Sequence, residues 1–475
     1  MQQNIYSILI FSFICLIVYY FTPIRWRKNI LVIESIIFYA ICDIKFLLLI
    51  IFETILSWFI GNRIIKKEND GSKYKSKKML FYGIFIILLF LCIFKYFNFF
   101  VDCFNLTFSH IMLPLGISYF SFKIISYLAD IYLQKREVEK SIVNYSVYVM
   151  FFPHLICGPI VRSSSMIERM NEGLYYDNSL FCKGIYKIIT GLFMKIVIAD
   201  RVGGYVSIVF ANPSAYPSIA LILALILYSI QLYCDFAGYS EIACGLTNLF
   251  GFECIDNFKR PYLACDIRDF WRRWHISLST WLRDYIYIPL GGSRCKKVRK
   301  WINVFAVFIS CGIWHGSTLP FVLWGGYHGL LNNLTPKKTQ QDKIHFVSVI
   351  KKILNWILTI ILVVFGWLLF RSETMSYTVS FIKQIIAGFS LSYQSIVSSI
   401  LPFTGDNSAP AYCLTLLIMI LILIIKELCD EKREKNNIQQ NIVLSKYELM
   451  WTFILFVFVI LFGVVGKSNF LYANF

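Results

Sequence analysis

The sequence predicts an all-α fold, a polytopic membrane protein of roughly ten to twelve helices that span or re-enter the bilayer. Three observations carry this. Charged residues make up only 16% of the 475-residue chain while 57% is hydrophobic, against about 25% charged in a soluble globular domain. Residues 1–24, 202–234, 353–370, 407–425 and 449–466 contain no Asp, Glu, Lys or Arg, and each run can cross roughly 30 Å of hydrocarbon as a helix. The basic residues gather between the apolar runs, which is the positive-inside pattern of membrane proteins.

In chain order, the first apolar run lacks a basic start and is followed by Pro23 and Arg25–Lys28, so it reads as an anchor and not as a cleaved leader. Basic clusters follow at Arg63–Lys78, Lys259–Lys300, Lys337–Lys352 and Lys426–Lys446. The net charge of +18 therefore lies in membrane-flanking loops, and a nucleic-acid partner is not expected. If the basic loops are cytoplasmic, 337–352 lies inside, 372–410 outside, 426–448 inside, and the end of the chain outside. The stretch from Lys28 to Gly61 must then hold two passes, which requires short or tilted helices. Two apolar segments, His110–Gly116 and Phe151–Pro159, are broken by proline and glycine. Non-helical backbone at membrane depth survives only where protein or a watery cavity receives it. Such breaks suit an enzyme or a transporter better than a simple anchor. The fourteen cysteines are scattered and form no C-x-x-C pair, so neither a disulfide framework nor a zinc site is expected. No H-E-x-x-H is present, and no metal is expected. No internal repeat or soluble domain is visible, and one membrane domain over residues 1–475 is expected.

Chemistry concentrates between residues 230 and 330. Read as one helix at about 100° per residue, Trp271–Tyr285 places Trp271, Trp274, Leu278, Trp281, Leu282 and Tyr285 on an apolar stripe. Arg272, Ser279 and Arg283 fall on a polar stripe, with His275 at the border. Two readings stay open: an interfacial helix with snorkelling arginines, or a wall that guides an anionic, phosphate-bearing donor. His315 follows the apolar run Asn303–Trp314. An ionisable group inside a bilayer is costly, and is a functional hypothesis by default. A histidine there can take the proton of a hydroxyl as that hydroxyl attacks an acyl carbonyl. The G-x-S-x-G elbow of soluble acyl-transfer enzymes is absent.

Several segments carry a resemblance: Phe152–Pro159, Asp235–Ser240, Phe270–Gly292 and Trp314–Gly316. Together they resemble the bacterial branch of the membrane-bound O-acyltransferase family, which includes alginate and peptidoglycan O-acetylation proteins and, more distantly, the teichoic-acid D-alanylation protein. The resemblance covers most of the chain and is weakest over about 372–448. It implies helices around a central tunnel that joins a cytoplasmic donor funnel to the extracytoplasmic face. It implies His315 as general base, with His275 orienting the donor or stabilising developing charge, and Trp314 in support. Acetyl-CoA is the implied donor, with no bound cofactor. Arg272, Arg273 and Arg283, with Trp274 and Ser279, are the expected donor contacts, read from the basic stripe. Asp235 is expected to pair with an arginine or to orient a histidine.

The last residues, Phe470–Phe475 within a tail at 467–475, have two readings. They form an aromatic belt at the interface, or they are similar to an aromatic C-terminal hexapeptide of bacterial acyl-export systems in which Tyr472 carries the acyl group. A phenol, with pKa near 10, makes an ester that keeps more transfer potential than a sugar ester. Ala473 and Asn474 depart from the commonest form of that motif. The function so implied is transfer of acetyl groups across a bacterial inner membrane for O-acetylation of an extracytoplasmic polysaccharide. An SGNH-type acetyltransferase partner outside would make the last transfer. The alternatives are a D-alanyl-type exporter and a non-catalytic transporter, although transporters often show repeated halves.

Overall fold

A computed structural model describes residues 5–69, 71–336, 346–403, 409–436 and 445–464. Among them the regular structure is helical throughout, without a strand, as an apolar, lipid-facing chain requires when each backbone polar group must be satisfied within its own segment. The first helices are α1 (Ile5–Phe21), α2 (Arg27–Asp43), α3 (Leu47–Asn69), α4 (Lys73–Cys103) and α5 (Ile117–Tyr132). Short helices follow: α6 (Ile142–Met150), α7 (Phe152–Cys157), α8 (Ser163–Glu172), α9 (Asn178–Leu192) and α10 (Asp200–Ala211). The middle of the chain holds α11 (Ser218–Leu249), α12 (Ile267–Arg273), α13 (Ile276–Leu282), α14 (Lys297–His315) and α15 (Leu319–Leu334). The last are α16 (Phe346–Arg371), α17 (Met375–Ala387), α18 (Tyr393–Ile400), α19 (Ala409–Lys435) and α20 (Lys446–Phe462).

Five segments among the described residues are long and apolar enough to cross a bilayer: Ile24–Glu68, Lys73–Cys103, Ser218–Leu249, Val349–Arg371 and Ala409–Lys435. The first holds both α2 and α3, parted where Asp43 leaves helical geometry at φ −156°. At 17 residues α2 is about 25 Å long, short for a bilayer, as the tight spacing between basic clusters predicts. α20 begins with a capping box, Ser445 and Glu448 each bonding the other's backbone N–H.

α11 is the axis of the fold. Nearly all of its 32 residues are buried, so it touches protein on every side. It lies against α9 through glycines seven residues apart on each helix. A Cβ at Gly184 would meet the Gly245 carbonyl oxygen at 2.8 Å, and one at Gly238 would meet the Gly191 carbonyl oxygen at 2.8 Å. Small residues at such a seam let helix backbones touch in the absence of a hydrophobic drive between helices. Gly191→Leu is therefore expected to lower stability by more than about 3 kcal/mol, whereas Gly204→Ala, which meets nothing within 4 Å, changes little. Thermal melting in detergent checks both.

The two proline- and glycine-broken segments meet each other. Gly116 has φ +69°, and an added Cβ would lie 2.5 Å from the Leu155 carbonyl oxygen in α7. The loop before α5 thus seats against the short helix α7 so closely that no side chain larger than hydrogen would fit at Gly116.

Two expectations are corrected. Cys244 and Cys254 form a disulfide, with Cα atoms 5.2 Å apart. Spacing along the chain does not reveal it, because α11 ends at Leu249 and the chain turns back through Gly251 at φ +86°. Trp271–Tyr285 is not one helix: Trp274 is extended and His275 takes a left-handed φ of 44°, so α12 and α13 are separate. A π-helical turn, Arg283–Tyr287, follows α13. The tail at 467–475, including Tyr472, lies outside the described residues, as does most of 337–352.

Candidate active site

The α12–α13 break is held by the loop after α11. The Arg273 carbonyl accepts the Lys259 N–H at 2.9 Å, and the Asn257 carbonyl accepts the Ile276 N–H at 2.8 Å. This pins the two short helices beside α14. There, α14 and α15 form a close pair: a Cβ at Gly312 would run into the Phe321 carbonyl, and one at Gly325 into the Phe308 carbonyl. The glycines of Gly312–Gly316 and Trp324–Gly329 are thus packing devices that seat His315 at the end of α14.

Between these elements lies a cavity of about 650 Å³, within the size range of small-molecule sites. His275 and His315 both line it and are both buried, at 1% and 3% exposure. Arg272, Ser279 and Arg283 line it too. The polar stripe therefore becomes a cavity wall in spite of the break in the helix. The apolar stripe is buried at Trp271, Trp274, Leu278, Trp281 and Leu282. Trp274 also lines the cavity and packs on Phe258, Phe270 and Trp367. The His315 ring meets Trp314, Trp324 and Phe370 edge to face at 4.6–5.3 Å between centroids. Trp314 in turn stacks at 5.7 Å on Phe122, which lies 4.1 Å from Trp281. Such a box of rings fixes the imidazole by shape.

Sequence reasoning missed two cations of the same wall, Arg268 and Lys300. Arg268 is aimed by a 3.0 Å bond from Nε to the Asn332 carbonyl; Lys300 lies in the first turn of α14. With Arg272 and Arg283, four cations share the lining with two acids, Asp266 and Asp269, so the wall favours an anion.

Arg273 points elsewhere. It is not among the lining residues; its guanidinium bonds Glu431 of α19 at 2.9 and 3.2 Å and Asp269 at 3.1 Å. It clamps α12 to the end of α19, with Arg260 on the same carboxylate at 2.9 Å. Asp235 accepts a 2.6 Å bond from Lys195, a lysine on a π-helical turn (Phe193–Ala199), and Lys195 also bonds Asp200 at 2.6 Å. The expectation named an arginine or a histidine, and the partner found here is this lysine. His154 and His328 lie apart from the cavity lining. His154 sits between Lys123 and Thr247 at 3.1 Å each, and His328 accepts the Trp271 indole N–H at 3.3 Å. No cluster of metal-binding side chains exists among the described residues.

Residues 115–371 match the family model described as MBOAT, membrane-bound O-acyltransferase family. That stretch runs from the Gly116 turn through the cavity to the end of α16. The chain belongs to the membrane-bound O-acyltransferase family. It is 37% identical to a probable alginate O-acetylase, AlgI, of Pseudomonas syringae pv. tomato, over 75% of this chain and 69% of that one. It is 30% identical to a peptidoglycan O-acetyltransferase of Helicobacter pylori, over 94% of this chain and 91% of that one. A teichoic acid D-alanyltransferase of Bacillus subtilis is 29% identical over 46% of this chain and 57% of its own length. This membrane-bound O-acyltransferase is thus an enzyme with several membrane passes, taking an acyl donor and an acceptor hydroxyl. The resemblance drawn from the 230–330 block holds.

Proposed function

We propose that the chain moves acetyl groups from acetyl-CoA on the cytoplasmic side of a bacterial inner membrane to an acceptor outside, for O-acetylation of a polysaccharide. One observation carries this reading: a single cavity joins four cationic side chains to two buried histidines. The phosphates of the donor suit Arg268, Arg272, Arg283 and Lys300, and the thioester reaches the histidines, where water is scarce. His315 takes the proton of the attacking hydroxyl as its oxygen bonds the acetyl carbon. The carbon–sulfur bond then breaks, and the proton leaves with the CoA thiol. His275 orients the donor or the developing charge. Alginate-like and peptidoglycan acceptors both fit the named relatives, and peptidoglycan gains weight from the Helicobacter relative's near-complete coverage of both chains.

Tyr472 is the proposed acyl carrier, with an SGNH-type acetyltransferase outside the membrane as the partner that passes the group to the glycan. A D-alanyl donor is the second reading, supported by the D-alanyltransferase relative over less of the chain.

Purified protein in vesicles with labelled acetyl-CoA tests the reading. Release of CoA and acetylation of the C-terminal peptide, read by intact mass, are expected; an inert protein across acceptors overturns it. In the same assay Arg272→Gln with Arg283→Gln raises the donor KM about 10-fold or more, at little cost to kcat, since lost charge-assisted hydrogen bonds are worth about 1.5–3 kcal/mol each. An unchanged KM removes the arginines from the donor site.

A further inference from the structure

Asn257 lies in the loop after α11 and is buried at 1% exposure. Its Oδ1 accepts the Ser277 N–H at 3.1 Å and the Ser277 hydroxyl at 2.9 Å, and lies 3.2 Å from Nδ1 of His275. A backbone N–H can only donate, so the atom that faces it is the carboxamide oxygen; the amide turned over would set donor against donor. An oxygen at that distance from a ring nitrogen is favourable only where the nitrogen carries a hydrogen. In a neutral imidazole the other nitrogen is then a bare lone pair. That nitrogen, Nε2, is buried and has no hydrogen-bond partner among the described residues, on a side chain that lines the cavity. The same asparagine holds the backbone, its carbonyl accepting the Ile276 N–H next to the left-handed His275. Left-handed geometry at a residue with a Cβ persists only where its surroundings impose it.

We propose that Asn257 is a positioning residue that locks His275 in the Nδ1–H tautomer, so that Nε2 meets the substrate as a hydrogen-bond acceptor. This rests on the acyl-transfer reading of the cavity and narrows it. His275 receives an N–H group, such as an amide of the donor's arm, since the single proton of the attacking hydroxyl goes to His315, and it does not donate to the carbonyl oxygen as that oxygen becomes negative. Stabilisation of the oxyanion then falls to other groups. The rings packed around His275 are Phe236, Phe258 and Trp314, none of which titrates. The charged or titratable groups that share its cavity are Asp266, Arg268, Asp269 and Arg272 along α12, Arg283 and Tyr287 after α13, and Lys300, Cys311 and His315 of α14.

Full-length protein with ¹⁵N-labelled histidine rings, in lipid, reports the tautomer directly by nuclear magnetic resonance. His275→Gln assigns the signal by removing it. A protonated Nδ1 with a bare Nε2 is expected; a protonated Nε2 in the resting protein overturns the proposal. Asn257→Asp keeps every acceptor contact but adds a negative charge, which favours the imidazolium. The low-pH loss of activity therefore moves upward by a unit or more, while kcat at high pH stays within several-fold of the unsubstituted enzyme. An acid limb left in place overturns the proposal. Asn257→Leu removes the acceptors and lowers kcat/KM about 10²-fold. Should it fail to fold, the tautomer and the aspartate variant decide the matter. A rise in donor KM in these variants assigns the received group to the donor; a fall in kcat alone gives the attacking hydroxyl to His275 in place of His315 and overturns the donor assignment. The resonance readout requires no turnover, so a correct tautomer in a protein inert to acetyl-CoA faults the donor and leaves the Asn257 assignment standing.

Discussion

His315→Ala is expected to lower acetyl transfer by about 10³-fold, the scale of a lost general base, with the donor KM nearly unchanged. The reason is division of labour within one cavity. The cations that suit the donor's phosphates stand along Arg268–Arg283 and at Lys300, whereas His315 sits apart at the end of α14, walled by Trp314, Trp324 and Phe370. Removing its ring leaves the cationic wall intact. Release of CoA from labelled acetyl-CoA measures the loss, and thermal melting of the variant separates lost chemistry from lost folding. His315→Gln, which preserves volume and a polar edge but offers no basic nitrogen, is expected to be equally inactive. Turnover close to that of the unsubstituted enzyme in either variant would remove His315 from the reaction.

Lys195→Met carries the second large effect, and it falls on stability. Lys195 lies between Asp235 and Asp200 at 2.6 Å from each, with all three side chains at most 7% exposed. Its Nζ also lies 5.3 Å from the centre of the Tyr239 ring. Removing the ammonium leaves two carboxylates deep among helices without the charge that compensates them, which costs about 3–5 kcal/mol. Lys195→Met with Asp235→Leu removes a charge of each sign and is expected to recover part of the loss. Melting of the single and double variants in detergent measures the coupling. Equal melting of Lys195→Met and the unsubstituted protein would show that this ion group does not hold α9–α10 to α11.

Much of the site was legible because it obeys a local period. The polar residues Arg272, Ser279 and Arg283 recur at helical spacing, and they still share a wall after the chain breaks at His275, since α12 and α13 each keep the same face turned to the cavity. His315 announced itself through cost, as an ionisable group at the end of an apolar run. The sequence block also contained Asn257, with nothing local to mark its task. Its partners are His275 and Ser277, 18 and 20 residues away, and they are reached through two turns. Arg273 shows the converse. Next to Arg272 on the chain and equally basic, it is drawn out of the cavity by Glu431, 158 residues distant.

By itself, then, the sequence determined the all-helical membrane character, the basic loops, the amphipathic stripe and the histidine worth testing. These follow from composition and from the period of a helix, which each segment carries alone. Only the tertiary structure decided the left-handed break at His275, the tautomer set by Asn257, the lysine that pairs with Asp235, and the Cys244–Cys254 bond. Each of these is a contact between segments. The energy of such a contact exists only once helix packing through glycines such as Gly191 and Gly238 has brought the partners within hydrogen-bonding or bonding reach.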